Sequence, residues 1–300
     1  HSYCCAGNCD VRIALVQTCR GRIVMNPKIS ETLRYALLVS IAVILLTPIY
    51  WLIMSSLRPA DHIFRFSGNF SIETLIPFAF TLDNYSQALQ SNIGRALFNS
   101  LFVSLTTVIC GVFVNSLAGF AFAVFDFRFK KLLFVLILLS FMMPFESIVI
   151  PLYTLMRTIG WTDTYAALIM PEVAGGLIIF LFYQFFRGIP REIYEAARMD
   201  GANWWQIYYK MTMPLSGPTI ATASLMIFIH QWDAFFWPLV ATSSERLAVI
   251  QVSIARNMTM EQANWGAFFA SASMAVLVAM VPFFWLQRHY VKIVITNADR

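Results

Sequence analysis

The sequence predicts an all-α, polytopic membrane protein with six transmembrane helices, and three observations lead there. First, 59% of the 300 residues are hydrophobic and only 12% are charged, whereas soluble domains run about 45–50% apolar and about 25% charged. Second, six stretches of 22 to 30 residues each carry at most one Asp, Glu, Lys or Arg, and a membrane helix needs about 20 predominantly apolar residues. Third, the few cations fall unevenly between alternate connections, as they do when they orient membrane spans. A chain so poor in polar residues cannot cover a water-exposed surface. The composition therefore excludes a soluble enzyme, a disordered regulator and a disulfide-stapled secreted domain.

The elements follow in chain order. Residues 1–24 hold four of the five cysteines (Cys4, Cys5, Cys9 and Cys19) at spacings that match no paired metal-binding pattern. They contain no apolar core followed by a small-residue cleavage site, so they do not read as a secretory signal. We read 1–24 as an extension upstream of Met25, and residues 25–300 as one membrane domain. The predicted spans are 35–57, 96–125, 132–156, 164–186, 211–232 and 262–287, with Glu146 and Glu172 the only charges inside the third and fourth.

Arg12, Arg20, Arg22, Lys28 and Arg34 precede the first span. Arg128, Lys130 and Lys131 lie between the second and third, Arg187, Arg191, Arg198 and Lys210 between the fourth and fifth, and Arg288, Lys292 and Arg300 after the sixth. These segments share one side and hold 15 of the 21 cations. The excess of Lys and Arg puts them, with both termini, in the cytoplasm, and the sign of the bias survives without residues 1–24. Trp51, Trp161, Trp237 and Trp265 fall near predicted span ends, where an interfacial belt belongs.

Two connections are long. The external one, 58–95, contains Pro59, Gly68, Pro77 and the polar run Thr81 to Tyr85. The internal one, 187–215, reads as a helix–turn–helix. Pro190 suits a first helical turn, where its missing N–H costs nothing, and Glu192 and Glu195 follow in the early turns. Ile193, Ala196 and Ala197 share one face at helical spacing. Asp200-Gly201 closes the helix, because glycine adopts the left-handed conformation readily. Asn203 and Gln206 stand in capping-box register for a second helix, which Pro214 ends. Such a short helix suits either a groove on another protein or the membrane surface.

The motifs favour the first use. Glu195-Ala196-Ala197, then Gly201, then Met211-Thr212-Met213-Pro214 resembles the EAA loop of ABC importer permeases. Met211 and Met213 depart from the usual Ile-x-Leu-Pro ending by apolar swaps of similar size. The Glu-Ala-Ala-x-x-Asp-Gly-Ala form with the aromatics that follow is similar to the carbohydrate-uptake branch, the maltose-type and glycerol-3-phosphate-type permeases. Residues 165–171, 180–186, 232–239 and 287–291 resemble other segments of that branch, so the likeness runs from about Ile29 to Lys292.

The resemblance implies a type I ABC importer permease fold and a non-enzymatic permease subunit, at the inner membrane, for a sugar or related polyol or sugar phosphate. It implies Glu195, Ala196, Ala197, Asp200, Gly201 and Pro214 as the residues that couple to a separate ATPase. The chain has no phosphate-cradling Gly-x-x-x-x-Gly-Lys-Ser/Thr loop, so no cofactor is expected on it, and ATP would be used by a partner subunit. The implied partners are ABC ATPase subunits, a second homologous permease and an extracytoplasmic solute-binding protein.

Polar residues inside the spans are candidates for the substrate path, because burying a charge there costs at least ~2.5 kcal/mol. They are Glu146 beside Pro144 and Pro151, Asn115 between Gly111 and Gly119, and Trp232 and Asp233 at the outer end of the fifth span. For Glu146 and Asn115 the competing reading is a helix–helix contact. Glu172 is placed to snorkel towards an interface, and His230 reads as structural. An alternative function is a stand-alone secondary transporter or channel using Glu146 and Glu172. Nothing in the chain forms a nucleophile–base pair or zinc-like spacing.

Overall fold

The computed structural model describes residues 27–64, 79–258 and 264–298. Every regular element among the described residues is helical. The chain divides into two compact units, 1–51 and 52–300, and the predicted extension 1–24 lies outside the described residues. The described part of the first unit is the greater part of α1 (Pro27–Ser56). From Arg34 onward this helix is apolar on all sides, with Leu37, Val39, Ile44 and Leu45 all exposed. A helix of that kind requires lipid or a partner as its solvent. Its Ser40 and Thr47 hydroxyls donate back to the carbonyls of Ala36 and Val43, at 2.8 and 2.7 Å, so they present no open polar group to that solvent.

The second unit is built on α3 (Ile93–Val124), a helix of 32 residues, which follows the short helix α2 (Asp83–Gln90). Against α3 pack α6 (Tyr165–Val173), α7 (Gly176–Arg187) and α10 (Gly217–Trp232). Small residues let these backbones approach. A Cβ on Gly119 would stand 2.6 Å from the Phe182 Cβ and 2.9 Å from the Tyr183 backbone nitrogen. The α3–α7 crossing is closed to any larger residue there.

Among the described residues three helices are long and apolar enough to cross a membrane, and counting each bent pair as one span gives six. The bent pairs correct the picture of uninterrupted third, fourth and fifth spans. The predicted span 132–156 is two helices, α4 (Lys130–Met142) and α5 (Phe145–Thr158), turned by 103°. Pro144 sits at the corner, where its ring and missing N–H oppose a continuing helix. The span 164–186 is bent by 42° between α6 and α7 at Ala174 and Gly175. The last pair is α9 (Trp204–Leu215) and α10, turned by 80° at Ser216. Pro214 does not end α9 at itself, since the helix runs one residue further. Instead a π-helical stretch, Ile207–Thr212, precedes it. Pro214 cannot donate to the carbonyl one turn back, and the ladder widens just ahead of it.

The remaining α-helices among the described residues are α8 (Arg191–Met199), described below, α11 (Phe236–Ala241), α12 (Ile250–Met258) and α13 (Trp265–Ala298). Polar groups on α3 hold the 246–250 segment. Asn99 donates to the carbonyls of Arg246 and Ala248 at 2.8 and 3.0 Å and accepts from the Tyr165 hydroxyl at 2.7 Å. Ser100 Oγ accepts from the Ile250 amide at 2.8 Å. Asp163, in the left-handed region at φ 59°, clasps another turn: its Oδ1 accepts from the amides of Ser243 and Ser244 and from the Ser244 hydroxyl.

Candidate functional site

Two places in the second unit concentrate polar and small residues. The first is the 187–215 loop. α8 starts after Pro190, which occupies the cap position itself with extended ψ. At its other end the Ala202 amide bonds to the Ala197 carbonyl and the Gly201 amide to the Arg198 carbonyl, both at 3.0 Å. With Gly201 at φ 82°, this is a Schellman stop. Asn203 then opens α9 through the predicted capping box, its side chain accepting from the Gln206 amide while Gln206 accepts from the Asn203 amide.

Which face of α8 is buried differs from the sequence expectation. Ile193 and Ala196 are exposed, and only Ala197 of the proposed stripe packs inward. The inward anchor is Tyr194, 6% exposed, whose ring meets Phe120 of α3 edge-on with centroids 6.3 Å apart. A large aromatic buries more surface than one alanine and an isoleucine rotated towards water lose, so it sets the helix's rotation. Burial, the larger cause, pushes the Tyr194 phenol above its ordinary value, opposed by a hydrogen bond with Thr212. Tyr208 of α9 packs on the same Phe120 ring, and its hydroxyl is 2.8 Å from Ser116 Oγ on α3. Glu192, Glu195, Ala196 and Met199 face outward. Of the six coupling candidates, five lie on or beside this helix, and Pro214 stands at the far end of α9.

The second place is a cavity of about 560 Å³ between α3, α4, α5, α6, α7 and α10. Its polar wall is Thr107, Asn115, Ser140, Glu172, His230 and Gln231. Glu172 Oε2 and His230 Nε2 lie 3.1 Å apart in hydrogen-bond contact. Glu172 thus has a partner on α10, and His230 has a polar task. Among the described residues, Thr107 Oγ1 and Gln231 Oε1 are buried with no partner. Two orphaned acceptors on one cavity wall are costly unless something fills them.

The structure separates the four substrate-path candidates. Asn115 is at the cavity, but its amide is occupied. Its Oδ1 accepts from the Gly175 amide at 2.9 Å and its Nδ2 donates to Val173 O at 2.7 Å, which satisfies the backbone opened by the α6–α7 break. Glu146 lies in the first turn of α5, exposed, outside this cavity. Trp232 is buried against Phe228, and with exposed Asp233 it borders a different cavity of about 460 Å³ that also includes Gln251. Thr107 and Gln231 escaped the sequence reading, although uncharged polar residues in otherwise apolar spans are a usable signal. Among the described residues no three His, Cys, Asp or Glu side chains gather as a metal site requires.

Comparison with known proteins agrees with the helical architecture. The model of a family described as "Binding-protein-dependent transport system inner membrane component" matches residues 111–295. The chain is 30% identical over 272 residues to the arabinooligosaccharides transport system permease protein AraQ of Halalkalibacterium halodurans, covering 89% of this chain and 96% of that one. It is 29% identical to the sn-glycerol-3-phosphate transport system permease protein UgpE of Agrobacterium fabrum, covering 90% and 98%. It is 27% identical to the lactose transport system permease protein LacG of Rhizobium radiobacter, covering 89% and 96%. Among solved structures, a chain of a bacterial ABC transporter involved in the import of the acidic polysaccharide alginate superposes with a TM-score of 0.76. The identity there is 20%, and the match covers 88% of this chain and 97% of that one.

Proposed function

The chain belongs to the family of binding-protein-dependent transport system inner membrane components, and on that premise we propose that it imports a sugar or a related polyol or sugar phosphate. It is a non-enzymatic permease subunit of an ABC importer at the inner membrane. The solute class rests on the named relatives and on the character of the 560 Å³ cavity. Thr107, Gln231 and the Glu172–His230 pair offer hydrogen-bonding groups beside Phe141 and Phe145, a mixture that suits a hydroxyl-rich solute. The solute would pass along a path completed by a second homologous permease, after delivery by an extracytoplasmic binding protein.

Energy would enter through the 187–215 loop. In this reading α8 docks in a groove on an ABC ATPase subunit, with Glu195 and Ala196 at the contact. Asp200 and Gly201 form the turn, Ala197 packs inward, and Pro214 shapes the return into α10. The observation that carries the reading is the pair of tyrosine anchors. Tyr194 and Tyr208 both close on Phe120 of α3, so a push on α8 cannot be absorbed in the loop and reaches the membrane helices. Alternating access then follows from rocking those helices about the cavity. ATP binds and is hydrolysed in the partner, and this chain supplies only the lever. Family membership favours this ATP-driven machine over a stand-alone transporter built on Glu146 and Glu172.

Gly201→Asp tests the coupling. A Cβ at Gly201 meets nothing within 4 Å in this chain, and aspartate is among the residues that tolerate a left-handed φ. The variant is expected to insert and accumulate normally while uptake is lost, because the added carboxylate projects where the ATPase would sit. Uptake at the parental rate, with the ATPase subunits present, would refute the assignment.

A further inference from the structure

We propose that the cleft between the α3–α4 connection, the end of α7 and the start of α8 binds the phosphate headgroup of an anionic phospholipid. The cleft is about 610 Å³ and is walled by Lys130, Lys131, Arg187 and Arg191 on one hand and Asp126 and Glu195 on the other. Four cations against two carboxylates leave an excess of two positive charges in a confined space. The carboxylates do not neutralise the site evenly. Asp126 takes Lys130 at 3.1 Å and Arg191 at 3.5 Å. Lys130 also donates to the Phe125 carbonyl at 2.8 Å. Among the described residues Lys131 and Arg187 have no carboxylate within ion-pair distance. The Arg187 guanidinium instead donates to the Tyr183 hydroxyl at 3.3 Å and lies over its ring.

The local backbone adds to the positive field. α4 begins with Lys130-Lys131, has no acidic residue in its first turn and no side-chain cap. Cations at a helix N-terminus oppose the dipole, and an anion bound there relieves the opposition. The floor identifies the anion as part of an amphiphile rather than a free ion. Phe122, Phe134, Tyr183 and Trp204 line it, and the Phe134 and Tyr183 rings pack with centroids 4.4 Å apart at a tilt of 48°. From there the outer face of α4 continues with exposed Leu132, Leu133 and Leu136. A phosphate at Lys131 and Arg187 with acyl chains against that face matches both halves of the surface. The two basic connections also lie on the side that the excess of Lys and Arg places in the cytoplasm, where basic pockets between spans meet anionic headgroups. The proposal rests on that topology and on the inner-membrane location, and it adds that lipid sits directly beneath α8 and biases its position.

The test uses the complete importer reconstituted in nanodiscs of phosphatidylcholine with increasing phosphatidylglycerol. Native mass spectrometry after mild delipidation reads retained phosphatidylglycerol, and ATPase rate is read in parallel. The parental complex is expected to retain phosphatidylglycerol, with Lys131→Gln and Arg187→Gln each weakening retention by about fivefold, from about 1 kcal/mol per cation. Lys131→Arg is expected to restore it, and Arg34→Gln, which removes a charge elsewhere, to leave it unchanged. Equal retention in parent and variants would overturn the site. Protection by inorganic phosphate without lipid would assign the cleft to a free anion instead. Loss of the ATPase subunit from Lys131→Gln in pure phosphatidylcholine would mean that the cations contact protein. Failure of Gly201→Asp to uncouple would leave the retention result standing, so the two readings fail separately.

Discussion

The 187–215 loop and the 560 Å³ cavity use their polar groups in opposite ways. In the loop each device is short-range and satisfied: the capping box joins Asn203 to Gln206, the Schellman bonds join Ala202 to Ala197 and Gly201 to Arg198. Its two aromatic anchors, Tyr194 and Tyr208 against α3, are buried and hydrogen-bonded. In the cavity the polar groups arrive from separate helices and two acceptors remain open. A part that transmits force has to be stiff, so unmet hydrogen bonds there would only weaken it. A part that receives a solute has to keep groups in reserve. The difference matches what the proposed function asks of a lever and of a binding wall.

Truncating the lever's anchor is expected to have the largest effect. Tyr194→Ala removes a buried ring from the Phe120 cluster, a loss of about 3–5 kcal/mol at comparable aromatic core sites. Uptake is expected to disappear although the chain still inserts, and amide exchange over residues 190–205 to accelerate by at least about a hundredfold. Unchanged exchange would show that α8 is not held by Tyr194, and the stiff half of the comparison would be wrong.

The cavity offers the opposite experiment. Thr107→Val and Gln231→Leu replace, with apolar groups of similar size, an unpaired hydroxyl and an amide whose oxygen is unpaired and whose nitrogen makes one long bond to the Leu168 carbonyl at 3.4 Å. Removing an unsatisfied buried acceptor is close to neutral or stabilising. We expect thermal stability in detergent to hold or rise, within about 1 kcal/mol, while uptake falls about tenfold. Stability and transport would move in different directions, as they cannot in the loop. A drop in stability of several kcal/mol would mean that these atoms are bonded in the assembled importer, and the cavity would then be structure rather than binding wall.

How far each region was legible in the sequence follows from the same difference. The Asp200-Gly201 stop and the Asn203–Gln206 box are complete within a few residues, so spacing alone reveals them. The rotation of α8 was misread because it depends on Phe120, about 75 residues away. The spans were readable as apolar runs, but the corner at Pro144 appeared there only as a proline in a run, and its 103° turn is a tertiary fact. The cavity was least legible. Glu172 and His230 are 58 positions apart, and nothing local announces that they meet. For Asn115 the sequence left two readings, substrate path and helix contact, and its bonds to Val173 and Gly175 are those of a helix contact.

A smaller effect is expected from the loop's local devices. Asn203→Ala removes the side chain that accepts the Gln206 amide, which costs about 1 kcal/mol at helix caps. Uptake is expected to fall by no more than about threefold, because the two tyrosine anchors still fix α8. Near-complete loss would place the stiffness in the cap rather than in the anchors.

The smallest effect tests a third kind of polar contact, long-range and only half-buried. The Asp163 carboxyl is held below the usual carboxylate range, first by the Ser244 backbone amide and then by the Ser244 hydroxyl and the Ser243 amide. A lowered folded-state pKa means that the clasp contributes its full stability above the unfolded value, near 4. That contribution fades as pH falls towards and through the lower folded value. The thermal midpoint of the parent is therefore expected to fall between about pH 5 and pH 3 more steeply than that of Asp163→Asn. Asparagine keeps the left-handed backbone at this position and one carbonyl acceptor, without the titration. Because the group is near the surface, screening keeps the difference small. Parallel curves would show that Asp163 does not clasp the 243–244 turn in solution. A difference as large as that from Tyr194→Ala would reverse the ranking, and would make a surface turn more important to the fold than the buried aromatic cluster on which the lever stands.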